Sequence, residues 1–300
     1  MGVTRAAGER IEAPRFLAPR GRLPGRRSVR RIRHGIVLGL LALLLAGIVL
    51  GPHLYRVDPL QQRLGTRLTP VWTVRAGEFY PLGSDGLGRD VLARALSGAQ
   101  TSLVIGALSV LSGALVGVTL GVSSGYFGGW VDAVSMRLVD VQMSVPFLVL
   151  ALILSAVLGP GVRNTIMALA LTSWIIYARV GRAEALALRR HDFVEAACSL
   201  GAGHVRIMVR HILPNLANTL AVVATQEMGQ MMLLAAALSF LGLGVPPPLA
   251  SLGGMVKDGQ AYLFTGWWIA TIPGALIMLI VLLIVLSGEA LREILDPLGR

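Results

Sequence analysis

Apolar residues in this chain come in long unbroken runs rather than in the short alternation of half-buried strands. Residues 35–55 carry no acidic residue, lysine or arginine and are flanked by Arg33 and Arg56. Further runs occupy 102–123, 141–158, 164–177, 216–237 and 268–286. A hydrocarbon core about 30 Å thick takes roughly 20 helical residues to cross. Backbone polar groups in lipid must pair within their own segment, which leaves helices as the reading. The pattern predicts an all-α integral membrane protein with six transmembrane helices. The short fourth run is expected to continue a turn or two past Arg179, and Arg137 and Asp140 stand at the entrance of the third.

The polar intervals divide the chain into a basic tail (1–34), a first transmembrane helix (35–55), a mixed segment (56–98), a five-helix core (99–288) that carries a charged loop (182–214), and a C-terminal tail (289–300). The first run is read as a retained anchor rather than a cleaved signal. The tail is poor in apolar residues and rich in Arg, Gly and Pro, so it is expected to be disordered, to orient the first span and to touch anionic lipid.

Composition agrees: 54% of residues are hydrophobic and 14% charged, against about a quarter charged in soluble domains. The net charge of +11 is not a nucleic-acid footprint, because it is concentrated where a membrane protein keeps cytoplasmic charge. Ten arginines fall in the first 33 residues and six between Arg179 and Arg210. This places both termini and the 182–214 loop in the cytoplasm and 56–98 outside. Cys198 is the single cysteine, so no internal disulfide forms. The five histidines include no i, i+4 pair of the kind that holds zinc on a helix, and no metal or cofactor site is expected in the chain.

The 182–214 loop is the least expected feature of so apolar a chain. Drawn as a helix over 182–200, it gathers Leu186, Phe193, Ala197 and Leu200 on one face and Glu184, His191, Asp192, Glu195 and Ser199 on the other. Gly201 and Gly203 interrupt it. Pro214 is expected to stop the loop helix, and Asn215 to cap the next span. By pattern alone the loop is an interfacial elbow.

Its residues say more. Glu195-Ala196-Ala197, then Gly201, then Leu213-Pro214 resembles the EAA loop of ABC-importer permeases, with His211 in the usual isoleucine position. The ending "RHILPN" is similar to the dipeptide/oligopeptide (peptide/nickel) branch. Residues 80–103, "YPLGSDGLGRDVLARALSGAQTSL", resemble the segment before the second span in one of the two permease types of those importers. Gly83, Asp85, Gly88, Arg89, Asp90 and Arg94 match that form; Tyr80, Ser84, Ala93 and Gln100 depart from it. Asp85 is expected to cap a short helix and Asp90 to pair with Arg94 four residues on. A third match is "ALSFLGLGVPPP" (237–248) followed by Gly253-Gly254-Met255. Relatives carry an acid where Ala235 stands and a tryptophan where Leu252 stands, which leaves the cargo open between peptides and nickel complexes or another small solute.

The resemblance implies a type I ABC importer permease fold. It also implies a second similar permease, two ATPase subunits and an extracytoplasmic solute-binding protein, in a bacterial inner membrane. Coupling to the ATPases would run through Glu195, Ala196, Ala197, Gly201, Arg206, Leu213 and Pro214. The chain would be non-catalytic, with ATP and Mg held by its partners. The only lysine, Lys257, follows Val256, so no phosphate-gripping Gly-Lys-Ser/Thr loop is present.

Two rival classes are weaker. "GVSSG" (121–125) has the nucleophile-elbow pattern around Ser123, but it lies in an apolar helix and no histidine follows His211 to serve as base. An ion-coupled transporter needs ionisable groups within spans, and only Asp140 and Glu227 are available. Glu227 and Gln230 share a helical stripe with Leu234 in the fifth span; as translocation-path candidates they are expected to face protein or water rather than lipid.

Overall fold

The computed structural model describes residues 25–295. In chain order the helices are α1 (Gly25–Leu54), α2 (Val91–Phe127), α3 (Gly129–Met143), α4 (Phe147–Leu158), α5 (Val162–Leu188), α6 (Asp192–Ser199), α7 (His204–Ile207), α8 (Leu213–Phe240), α9 (Leu252–Gly259) and α10 (Trp268–Leu295). Strands β1 (Thr73–Arg75) and β2 (Glu78–Tyr80) pair antiparallel, Thr73 opposite Tyr80 and Arg75 opposite Glu78. They are joined at Ala76 and Gly77, which have φ of 52° and 78°, the left-handed pair that a two-residue hairpin turn requires. Among the described residues this hairpin is the one sheet, and the other regular elements are helices.

Among the described residues, four helices are long and apolar enough to cross a membrane, and five if the bent pair α3–α4 counts as one span. The expected span not among these is the fourth (164–177), which corresponds to α5. It is 27 residues long but carries Arg163, Arg179, Arg182 and Glu184, which lower its hydropathy.

Several expected boundaries move. Helix α1 begins ten residues before the expected first span, inside the basic tail, because the intervening arginines are good helix formers. The tail's residues 1–24 and the C-terminal residues 296–300 lie outside the described chain. The run 141–158 is not one helix: Ser144, Val145 and Pro146 break it, and α3 and α4 meet at 88°. Pro146 lacks an N–H and restricts the residue before it, so the helix restarts rather than continues. Helix α2 starts eight residues inside the segment assigned outside the bilayer. At 37 residues it is about 55 Å long and overshoots the hydrocarbon.

Helices α2 and α5 form the spine. Gly113, Gly117, Gly121 and Gly125 repeat every fourth residue on α2. A β-carbon on Gly117 would stand 2.2 Å from the Trp174 carbonyl oxygen, and one on Gly121 2.2 Å from that of Ala178. Small residues at this spacing let two backbones touch, a route by which helices associate in lipid. The "GVSSG" run is the end of this ladder, and Ser123 sits within a helix rather than on a strand-to-helix turn.

Helix α1 packs on α2 and α10 through Ile48, Ala99, Ile280 and Ile284. Pro52 within α1 has no N–H to offer the Ile48 carbonyl. Gln100 of α2 supplies it instead, donating from Nε2 at 2.9 Å. Gln100 is one of the departures from the family form, and this is its structural use.

Candidate functional site

Two assemblies of polar residues lie at opposite ends of the bundle. The first is the elbow between α5 and α8. The chain does not run as one helix over 182–200: α5 ends at Leu188 and α6 restarts at Asp192, with Asp192 and Glu195 in its first turn, where the helix dipole favours acids. This resets the helical phase. Val194 and Ala197 are buried, whereas Phe193 and Leu200, expected on the apolar face, are exposed, Leu200 at 88%.

Helix α6 ends in a Schellman motif: Ala202 N–H donates to the Ala197 carbonyl at 3.0 Å and Gly201 N–H to that of Cys198 at 2.9 Å. Gly201 sits at φ 79°, with open space where a β-carbon would go. Its glycine is required by backbone conformation, not by close approach.

Beyond Gly203 the helix does not stop at Pro214. Helix α7, a π-helical turn (Met208–Ile212) and α8 run on, continuous from His204 to Phe240. The wider turn just before Pro214 accommodates a residue that cannot donate within the helix. Asn215 donates from Nδ2 to the His211 carbonyl at 2.6 Å, inside this continuous helix rather than as an N-cap. The elbow is therefore rigidly joined to a transmembrane helix.

The inner face of the elbow is fixed to α2 and α5. Val194, Ala197, Ile207, Ile212 and Leu216 pack with Val122, Tyr126 and Ala185. Tyr126 and His204 share a hydrogen bond, and Thr219 donates to Glu184 Oε1 at 3.1 Å. Beneath them Arg182 of α5 grips Asp132 of α3, with Nη2 to Oδ2 at 2.6 Å. The outer face carries Glu195, Ala196, Arg206 and Pro214, all exposed, with Val205 and Val209. Leu213 is 37% exposed.

The second assembly lies beyond the far end of α8. Asp85 is not a helix cap. Its side chain accepts from the backbone N–H groups of Leu87 (2.8 Å) and Arg89 (3.0 Å) and from Arg89 Nε (2.7 Å), and pairs with Arg94. Burial pushes the Asp85 carboxyl up, but Arg94 and Arg89 together with the backbone donors outweigh it and hold it below the usual carboxylate range.

Asp90 takes the cap that was expected of Asp85, accepting from Ala93 N–H at 2.7 Å, and also from the Tyr55 hydroxyl at 2.9 Å. Arg94 reaches back to Asp85 rather than pairing with Asp90, because Asp90 is committed to the helix start. Burial raises the Asp90 carboxyl above its ordinary value. Gly83 and Gly88 have φ of 76° and 75°, and a β-carbon on Gly88 would fall 1.8 Å from the Arg63 carbonyl oxygen. Tyr80, another departure from the family form, is buried and donates to Thr66 Oγ1 at 3.1 Å.

Glu227 lies midway along α8, half-buried, while Gln226 and Gln230 are exposed. The buried Tyr177 hydroxyl on α5, within electrostatic reach of Glu227, has no hydrogen-bond partner among the described residues. Asp140 is exposed on α3. Ala235 and Leu252, the two positions on which the expected choice of cargo turned, are both buried in apolar clusters of this chain. Sequence reasoning missed the α2 glycine ladder, although its four-residue spacing was visible. It also missed Tyr126 and Asp132, whose partners lie 78 and 50 residues away.

Residues 117–299 match the family model described as the binding-protein-dependent transport system inner membrane component. Among curated proteins, a di/tripeptide transport system permease of Pseudomonas aeruginosa is 39% identical over 266 residues, 88% of each chain. A dipeptide transport system permease of Haemophilus influenzae is 35% identical, covering 88% of this chain and 90% of that one. A probable D,D-dipeptide transport system permease of Escherichia coli is 37% identical, covering 86% and 85%. Among solved structures, the inward-facing MetNI methionine ABC transporter aligns with a TM-score of 0.54 at 20% identity, over 70% of this chain and 97% of that one. An amino acid ABC transporter aligns at 0.52 and 22%, over 67% and 93%. The helical architecture is thus that of type I ABC importer permeases, and the chain belongs to the family of binding-protein-dependent transport system inner membrane components, the non-catalytic permease subunits of ABC importers.

Proposed function

We propose that this chain is one of two permeases that together form the path of an importer for di- or oligopeptides. It works with two ATPase subunits that hold ATP and Mg and with an extracytoplasmic solute-binding protein. The peptide assignment rests on the names of its relatives, which match nearly the whole chain. The coupling role rests on one observation. Phe193, Leu200 and Val205 are exposed on the outward surface of α6 and α7, and α7, against which α6 is folded back at Gly201, continues without a break into α8. Closure of an ATPase pair against that surface would be transmitted directly to a transmembrane helix. Both termini and the elbow face the cytoplasm, and 56–90 faces outward.

Gly201→Pro in the assembled transporter tests the coupling role. Proline cannot adopt φ 79°. Membrane insertion should be normal, transport lost, and ATPase activity no longer stimulated by the loaded binding protein. Wild-type transport in this variant would reduce the elbow to an interfacial helix. Topology is tested by cysteine labelling in a Cys198→Ala background, at exposed Arg75 and Leu200. Gly83 is unsuitable for labelling, since a β-carbon there would meet Trp268 Nε1 at 2.6 Å. Residue 75 should label only from outside and residue 200 only from inside.

A further inference from the structure

An open cavity of about 700 Å³ lies at the end of α8 opposite the elbow, between the 85–94 segment, the loop carrying Pro246, Pro247 and Pro248, and α9. Its polar wall is built around Asp85. That carboxylate already takes two backbone donors and both Arg89 and Arg94. Anchored this way, the two arginines are 10% and 6% exposed and direct their outer Nη2 atoms at Asp258, at 3.7 and 3.5 Å. Ordinary charge-assisted hydrogen bonds are about 2.7–2.9 Å long, so Asp258, half exposed, is held loosely.

Next to it Lys257 lines the same cavity, exposed, and its ammonium makes no hydrogen bond or ion pair with the described residues. Room for its ammonium comes from Gly242, where a β-carbon would stand 2.6 Å from Nζ. Three cations (Arg89, Arg94, Lys257) thus face two carboxylates (Asp85, Asp258), an excess of one positive charge. The prolines and Tyr262 form the remaining, less polar wall.

A pre-built pair of guanidiniums beside a free ammonium is suited to one anionic oxygen pair. We propose that this cavity receives the terminal carboxylate of the incoming solute. Lys257 is its first partner, and Asp258 yields its place on Arg89 and Arg94. The position fits, because the cavity lies at the far end of α8 from the coupling surface, the end at which imported solute arrives. The proposal deepens the peptide reading and rests on it: a peptide with a free C-terminus brings one such carboxylate. Lys257 lies outside the Asp85 network, so its removal leaves the fold of that segment intact.

The test uses the complete transporter in proteoliposomes, with labelled trialanine and trialanine amide, each at a concentration that saturates the binding protein. Lys257→Met should reduce trialanine uptake about tenfold, the scale of one hydrogen bond to a charged group. Uptake of the amide should stay within about twofold of wild type. Lys257→Arg should restore trialanine uptake, and Asp258→Asn should not reduce it. Recovery of the variant with its partner subunits in the wild-type ratio excludes misfolding as the cause. Equal loss for acid and amide would overturn the proposal and assign the lysine to an acidic side chain of the delivering protein. Unchanged uptake of both would overturn it while leaving the peptide reading in place. If the wild-type transporter takes up neither compound, the peptide reading fails and this proposal with it.

Discussion

The Tyr126 hydroxyl and His204 Nδ1 share a hydrogen bond at 3.0 Å, joining the last turn of α2 to the first residue of the helix that leads out of the elbow. The rings of Tyr126 and Phe127 also meet the His204 imidazole edge-on, each with centroids 5.7 Å apart. One contact thus ties the elbow to the helix that forms the spine of the bundle. Tyr126→Phe keeps the ring and removes the hydroxyl, at a cost of about 1 kcal/mol. We expect normal assembly but fewer solutes moved per ATP hydrolysed. An unchanged transport-to-hydrolysis ratio, measured in proteoliposomes, would show that the apolar packing alone holds the joint.

Gly121→Val places a branched side chain where even a β-carbon would stand 2.2 Å from the Ala178 carbonyl oxygen. The backbones of α2 and α5 must then separate, and the mutation should cost about 3 kcal/mol or more. The measurable outcome is loss of folded protein from the membrane at wild-type expression levels. The same change at Gly39 of α1, where a β-carbon meets nothing within 4 Å, is the matched control and should be tolerated.

Asp85→Asn leaves two buried arginines without their carboxylate. Breaking a buried pair in this way costs about 3–5 kcal/mol. The 56–90 segment, proposed to face outward, should become sensitive to protease applied from outside. The wild-type protein should show a related pH dependence. Its folded-state Asp85 pKa is depressed, so the ionised group contributes stability above its unfolded-state pKa, and that contribution is lost as pH falls through the folded value. Protease resistance of the segment should therefore fall at acid pH in wild type and be flatter in the variant. Parallel pH profiles would remove Asp85 as the cause.

Glu227→Gln keeps the shape of a half-buried side chain and removes its charge. If the charge meets solute in the path, the variant assembles and keeps its basal ATPase activity but transports cationic peptides several-fold more slowly than neutral ones. Equal transport of cationic and neutral peptides would leave Glu227 a purely structural neighbour of Tyr177.

The membrane-spanning character of this chain was legible in its sequence for a physical reason. Transfer into hydrocarbon depends on local composition, and a run such as 268–286 has no charge to lose. The elbow was legible for a related reason, since a charged, glycine-broken stretch between apolar runs has to lie outside the lipid, and Gly201 announced a turn that only a left-handed residue completes. Tertiary structure alone decided what depends on distance across the fold. Asp85 and Asp90 are equivalent carboxylates by sequence. Asp90 became the cap of α2 and Asp85 the anchor of two arginines because the 83–90 turn aims one at a helix start and the other at Arg94. Pro146 broke a helix while Pro214 did not. The chain bends by 88° at the first, whereas a π-helical turn absorbs the missing donor at the second. Composition foretells the cost of burying a group, but which partner offsets that cost is set by the geometry of elements far apart in the chain.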